Sequence, residues 1–208
     1  MNKIKKAVFL ALAVPFLGVG AFAADIPAGK VGTTLENLQT AFNGESNAKA
    51  RYEAFAVNAD AEGYGGVASL FRAAALSEGI HAAKHAKAIE ALGAAPKAEI
   101  NAPVVKSTRM NLKEALKSEN DESNKMYPAF AKQAMADKND KAAMSFKGAM
   151  ATEAGHAKLC SQALAKLGGW KAKRKFIVCQ TCGYTTGELN IKLCPVCSQP
   201  REQFMEVE

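Results

Sequence analysis

Two short runs, Glu78-Gly79-Ile80-His81 and Glu153-Ala154-Gly155-His156, decide how this chain folds. Residues three apart share one face of an α-helix, so each run aims a carboxylate and an imidazole in the same direction. The chain has only three histidines, and two of them stand in such pairs. Glu45 precedes the first pair by 33 residues and Glu119 precedes the second by 34, so the chain reads as two similar helical hairpins. The midpoint of Glu45 and Glu78 falls beside Gly63-Tyr64-Gly65-Gly66, and that of Glu119 and Glu153 falls beside Asp137-Lys138-Asn139-Asp140. Residues equally far from a hairpin turn stand at the same height. All four glutamates can therefore meet at one level between four helices.

Working outward, Thr33-Thr34-Leu35-Glu36 has the form of a capping box and predicts the start of a long helix. The glycine run at 63–66 breaks it, and a second helix is expected from Val67 to about Leu92. Gly93 to Ser107, with Pro96 and Pro103, reads as a long connection before helices resume near Thr108 and stop at Leu167-Gly168-Gly169. Short, long, short is the loop order of an all-α four-helix bundle built the ferritin-like way, here over residues 33–168. Pro128 falls inside the third helix, where it costs about 3 kcal/mol or forces a kink, so something other than propensity must hold that helix. The 208 residues, 49% hydrophobic, suit one such domain and a small appendage.

A Glu from each of two helices and a Glu-x-x-His from each of the other two is a ligand set for a pair of iron or manganese ions. Glu122, three residues after Glu119, adds a fifth carboxylate on the same face. Five ionised carboxylates in a helical core would repel one another and lose hydration at heavy cost unless cations joined them. Two Fe(II) ions, or two Fe(III) ions with a bridging oxide, bring the same four positive charges, so such a site can change oxidation state at constant charge. The plainer alternative for Glu45, Glu119 and Glu122 is a solvated helix face. Tyr52 and Tyr127, about two turns beyond Glu45 and Glu119, are candidate donors to the ligating carboxylates, or else ordinary core packing. His85 has no glutamate three residues before it and reads as a surface residue or as one that supports the ligands from outside, and Cys160 as a buried structural thiol.

Cys179-Gln180-Thr181-Cys182 and Cys194-Pro195-Val196-Cys197 are two Cys-x-x-Cys knuckles eleven residues apart, a specific pattern for a tetrathiolate metal site. The segment 176–208 is too short to bury a core unaided, so its metal is its core. Zinc and iron both fit this geometry. A redox-inert ion beside a di-metal centre would add nothing to electron supply, and that context favours iron. Gly169 to Lys175 reads as a linker with a basic end.

At the other end, three lysines, an uncharged apolar run and Ala21-Phe22-Ala23 have the form of a secretory signal, expected to be cleaved after residue 23 and to direct the chain to a periplasm. Pro15, Gly18 and Gly20 argue against a stable spanning helix, so no membrane insertion is expected after processing. Losing Lys3, Lys5 and Lys6 lowers the net charge from +7 to +4, too mild to suggest nucleic acid.

With these residues in view, the chain resembles the rubrerythrin family. AFNGESNAKARY around Glu45, SEGIH, NLKEALKSENDESNKMYPAF and TEAGH resemble its four ligand-bearing helices, and CQTCGY with LCPVCSQP resembles its rubredoxin-like domain. The resemblance spans about Thr33 to Glu208. It implies a non-haem di-iron peroxidase that reduces hydrogen peroxide to water, with electrons entering through a tetrathiolate iron centre at Cys179, Cys182, Cys194 and Cys197. Carried over, Glu78 and Glu153 bridge two irons, Glu45 and Glu119 are terminal ligands, and His156 binds one iron. Glu122 and His81 exchange as ligands to the other iron between oxidation states. The resemblance also implies a head-to-tail homodimer that places one subunit's tetrathiolate iron near its partner's di-iron site. The signal-like leader departs from cytoplasmic relatives that draw on NAD(P)H-linked reductases, and leaves the electron donor unidentified. Two alternatives share parts of the pattern: a ferroxidase or iron-sequestering protein, and a non-enzymatic zinc-ribbon binding module.

Overall fold

The structure is a computed structural model that describes residues 31–208, so the signal segment expected at 1–23 lies outside the described residues. Helix α1 (Thr34–Ala61) begins at the expected capping box, with Thr33 accepting from the Glu36 amide and the Glu36 carboxylate accepting from the Thr33 amide. It ends at Gly63, whose φ of 79° suits glycine, and α2 (Gly65–Glu90) returns antiparallel against it. The long connection then runs back along α1, fastened by amide side chains spaced about one turn apart. Gln39 donates to the Ala95 carbonyl at 2.7 Å, Asn43 accepts from the Glu99 amide at 2.8 Å, and Asn47 accepts from the Asn101 amide at 2.9 Å. These bonds satisfy backbone groups that no sheet or helix serves.

The second hairpin opens with α3 (Thr108–Asp121), passes through a π-helical turn at Glu122–Met126, and continues as α4 (Tyr127–Ala136). Helix α5 (Asp140–Ala165) returns, its first turn capped by Asn139 accepting from the Ala142 amide. The π turn resolves the difficulty anticipated at Pro128. It closes with the Tyr127 amide on the Glu122 carbonyl, and Pro128 then sits in the first turn of α4, where a missing N–H is tolerated.

The bundle core has two apolar ends with a polar layer between them. Tyr52, Phe55, Leu70, Phe71 and Leu112 fill one end; Leu38, Ile89, Phe130 and Phe146 fill the other. Glu45, Glu78, His81, Glu119, Glu153 and His156 form the layer, each at most 2% exposed. Abundant core alanines let the helices approach closely enough for short carboxylate side chains to meet.

After α5, a 3₁₀ turn (Leu167–Trp170) leads to a three-stranded antiparallel sheet of order β2-β1-β3: β1 (Phe176–Cys179), β2 (Thr185–Thr186) and β3 (Phe204–Val207). The segment read as a linker is pinned to the N-terminus of α2. The Gly65 amide donates to the Lys171 carbonyl at 3.0 Å, and a Cβ at Gly66 would lie 2.7 Å from the Ala172 carbonyl oxygen. Trp170 is buried beneath the Arg174 guanidinium. Among the described residues, no helix is long and apolar enough to cross a membrane.

Candidate metal centres

The four helices bring the six side chains into two overlapping groups. Glu45, Glu78, His81 and Glu153 place one ligand atom each within 4.8 Å of one another, and so do Glu78, Glu119, Glu153 and His156. Glu78 and Glu153 belong to both groups, which is where carboxylates shared by two ions must stand. Both imidazoles turn Nδ1 inward. His81 Nδ1 lies 2.7 Å from Glu153 and 3.0 Å from Glu78, while His156 Nδ1 lies 2.7 Å from Glu153 and 3.2 Å from Glu78.

Close approach here is not hydrogen bonding throughout. Both oxygens of Glu153, one oxygen each of Glu45, Glu78 and Glu119, and His156 Nδ1 are buried without a hydrogen-bond partner. Orphaned buried polar atoms on this scale are costly, and converging lone pairs are what a cation requires. The donor set of carboxylate oxygens and imidazole nitrogens therefore fits two iron ions. Electrostatics say the same. Burial, reinforced by Glu78 and Glu153, holds Glu45 well above the usual carboxylate range, and burial with Glu153 and Glu78 pushes Glu119 up to about 8. Glu153 goes the other way: burial opposes its ionisation, but His81 and His156 beside it outweigh that and hold it low. Positive charge inside the layer is thus what lets its carboxylates ionise.

The two tyrosines donate crosswise. Tyr52 on α1 donates to Glu119 on α3, and Tyr127 on α4 donates to Glu45 on α1, so each ties the two hairpins together rather than serving the glutamate of its own hairpin. Glu122, at the start of the π turn, is half-buried and stands outside both groups, whereas His81 stands inside one. Burial and then Glu119 hold its carboxyl well above the usual range. The surface reading of His85 is overturned: its side chain is fully buried because Tyr127, Ser145 and Phe146 surround it. Cys160 is buried as expected, and burial pushes its thiol up.

The four knuckle sulfurs also converge. Cys179 and Cys197 Sγ are 3.6 Å apart, and Cys182 and Cys194 Sγ are 3.5 Å apart, close to the roughly 3.8 Å edge of a tetrahedron whose metal–sulfur bonds are about 2.3 Å. Each knuckle closes with an amide donating to its first cysteine's carbonyl, from Gly183 to Cys179 and from Ser198 to Cys194, and both residues have positive φ, 84° and 59°.

Serine tolerates that backbone at 198, so backbone angle alone does not explain glycine at 183. Contact with the bundle does. A Cβ at Gly183 would lie 2.4 Å from Ser77 Oγ and 2.5 Å from His81 Nε2. Through this approach Ser77 donates to the Gly183 carbonyl at 2.7 Å, and His81 Nε2 lies 3.0 Å from the Cys182 carbonyl and 2.8 Å from Thr152 Oγ1. His156 Nε2 lies 3.2 Å from Thr185 Oγ1. Each site histidine thus faces the carboxylates with one nitrogen and the four-cysteine domain of its own chain with the other. Within this chain the four-cysteine domain docks on its own bundle. Sequence reading missed Ser77, Thr152, Ser145 and Thr185, which carry no motif, and Gly183 was visible only as the residue after a knuckle.

A bundle in which two Glu-x-x-His helices and two Glu helices surround shared carboxylates, with a four-cysteine knuckle domain docked on it, defines a ferritin-like di-iron carboxylate protein bearing a rubredoxin-like domain. The chain belongs to the rubrerythrin family: the family described as Rubrerythrin matches residues 36–164, and its rubredoxin-like domain matches residues 178–205. Nigerythrin of Nitratidesulfovibrio vulgaris is 36% identical over 175 residues, covering 84% of this chain and 86% of the relative. Rubrerythrin of Porphyromonas gingivalis is 34% identical over 176 residues, covering 82% and 88%. The solved structure of fully reduced, all-ferrous nigerythrin superposes with a TM-score of 0.81 at 33% identity, covering 96% of this chain and all of that one.

Proposed function

We propose that this protein is a di-iron peroxidase that reduces hydrogen peroxide to two waters, consuming two electrons and two protons, with the electrons delivered through the tetrathiolate centre of the same chain. The observation that carries the reading is the double engagement of His81 and His156, each spanning from the buried carboxylates to the four-cysteine domain. Glu78 and Glu153, common to both groups, would help hold both ions; Glu45 and His81 Nδ1 would hold one, and Glu119 and His156 Nδ1 the other. Cys179, Cys182, Cys194 and Cys197 hold the single iron. Bound there, the iron pair supplies Lewis acidity and two electrons for cleaving the O–O bond.

The chain's own groups do the rest. Tyr52 and Tyr127 hold Glu119 and Glu45 by donating to them, which fixes those two carboxylates. Glu122, half-buried outside the group that contains His81, would be the carboxylate in reserve, able to join the ligands that hold the ions. The apolar layers on either side exclude bulk water.

Two experiments test this. Glu122→Ala should keep its metal and lose peroxide turnover; turnover at the parental rate would remove Glu122 from the mechanism. Chains carrying Cys179→Ser, mixed with chains carrying Glu153→Ala, should fail to restore turnover together. Recovery in the mixture would show that electrons cross between chains.

A further inference from the structure

We propose that His85 is a positioning residue for the Glu45 half of the metal site, acting through Tyr127. The inference rests on Glu45 being a ligand, as proposed above. His85 belongs to no Glu-x-x-His pair, yet it is fully buried in the layer next to the carboxylates. Its Nε2 is 3.2 Å from the Tyr127 hydroxyl, and its Nδ1 is 2.8 Å from Ser145 Oγ. Hydrogen counting orients the chain. A tyrosine hydroxyl has one hydrogen, and Tyr127 gives it to Glu45. Its oxygen can then only accept from His85, so Nε2 carries the imidazole hydrogen, and Nδ1 accepts from Ser145. Every hydrogen in the line Ser145, His85, Tyr127, Glu45 points toward the metal layer.

The line crosses all four helices of the bundle, from α5 through α2 and α4 to α1. The other half is held differently. There Tyr52, which donates to Glu119, packs on Phe55 and Phe71 with the Arg51 guanidinium over its ring. Burial, with His81 nearby, pushes the His85 imidazole down to about 3, in keeping with the single-hydrogen tautomer. His85 Nε2 is 3.9 Å from Glu45 itself, too far for a direct hydrogen bond, so its hold on that carboxylate passes through the phenol. The two half-sites, similar in ligands, are therefore held differently: Glu45 through a phenol backed by an imidazole, Glu119 through a phenol backed by a guanidinium.

The test is Co(II) titration of the full chain, with the tetrathiolate iron in place, followed by the visible absorption of bound cobalt. His85→Phe should weaken one of the two Co(II) sites by about tenfold or more and leave the other unchanged, in line with typical losses on removing an outer hydrogen-bond partner. His85→Gln, which retains a donor toward Tyr127 and an acceptor toward Ser145, should stay within about threefold of the parent. In a Tyr127→Phe background, His85→Phe should cause no further loss, because residues acting through one contact are not additive. The inference is overturned if His85→Phe binds both ions like the parent, if its effect persists without the Tyr127 hydroxyl, or if the Gln variant is no better than Phe. Should the Phe variant not fold, Ser145→Ala, which frees the imidazole tautomer, is expected to weaken the same site, and unchanged binding overturns the inference. Glu45→Ala separates the two levels: if it keeps both Co(II) ions, the ligand assignment fails, whereas loss of one ion there with a silent His85→Phe removes only the role of His85.

Discussion

The two metal centres of this chain are built on opposite plans. The carboxylate site draws its six core side chains from helices spanning Glu45 to His156, and its walls are already packed by apolar layers on both sides. The tetrathiolate site draws all its ligands from nineteen consecutive positions, 179–197, and the cysteines are themselves most of the core: Cys179, Cys182 and Cys194 pack with Ile177 and Phe204. In the bundle, the fold creates the site and tolerates its electrostatic cost. In the knuckle domain, the site creates the fold.

That contrast predicts opposite responses to losing a ligand. Cys194→Ser should have the largest effect, abolishing the Fe(III)-thiolate absorption and making residues 176–208 sensitive to protease while far-UV circular dichroism shows the helices intact. A variant that resists proteolysis as the parent does would erase the distinction. Glu153→Ala, which removes a carboxylate shared by both groups, should strip both ions from the bundle and leave the tetrathiolate iron in place, as elemental analysis would show, with the helices still folded. Gly183→Ala probes the contact between the centres. It should bind all the metal but slow reoxidation of the reduced tetrathiolate centre by about tenfold in single-turnover absorbance, because about 1.4 kcal/mol of lost coupling suffices for that. Ser198→Ala, at the matching place in the other knuckle, should leave the rate unchanged.

A smaller effect concerns the metal-free bundle. Glu119, pushed up to about 8, holds its proton in the folded state at pH values where the unfolded chain has released it, so stability falls as pH rises toward 8. His81 and His156, raised mainly by neighbouring carboxylates against the opposing effect of burial, contribute in the same direction above their ordinary value of 6.5. His85, depressed to about 3, is neutral in the folded state while the unfolded imidazole is still partly protonated near pH 6.5, so it opposes this slope weakly and only at its lower end. Between pH 6.5 and 8 the metal-free protein should lose about 5 °C in melting temperature, and loading with metal should remove that slope. The smallest effect is expected for Cys160→Ala, about 1 kcal/mol of stability with both centres intact, measured by denaturant unfolding.

The ligand positions were legible in the sequence because helical periodicity and hairpin arithmetic are local rules: Glu45, Glu78, Glu119 and Glu153 needed only spacing and two turns to be placed at one height. The knuckles were legible for the same reason. What sequence did not disclose depends on neighbours far apart in the chain. Tyr52 and Tyr127 stood out as donors, but their crosswise reach follows from how the hairpins pack. His85 looked unpaired because Ser145 and Tyr127 lie 60 and 42 residues away. The approach of Gly183 to Ser77 and His81 joins segments about a hundred residues apart, and no local pattern announces it.

The π-helical turn at Glu122–Met126 also bears on how this lineage can tolerate insertions and deletions. Such a turn carries a surplus residue, so everything after it is rotated by about 100° relative to an uninterrupted α-helix. Tyr127 faces the interior alongside Glu119 only with that rotation in place. Excising one residue between 123 and 126 would regularise the helix and keep Tyr127 on the same face, whereas straightening the turn at unchanged length would swing its hydroxyl away from Glu45. The turn should therefore tolerate loss of one residue better than the regular helix on either side of it, where the same loss rotates everything beyond by about 100°.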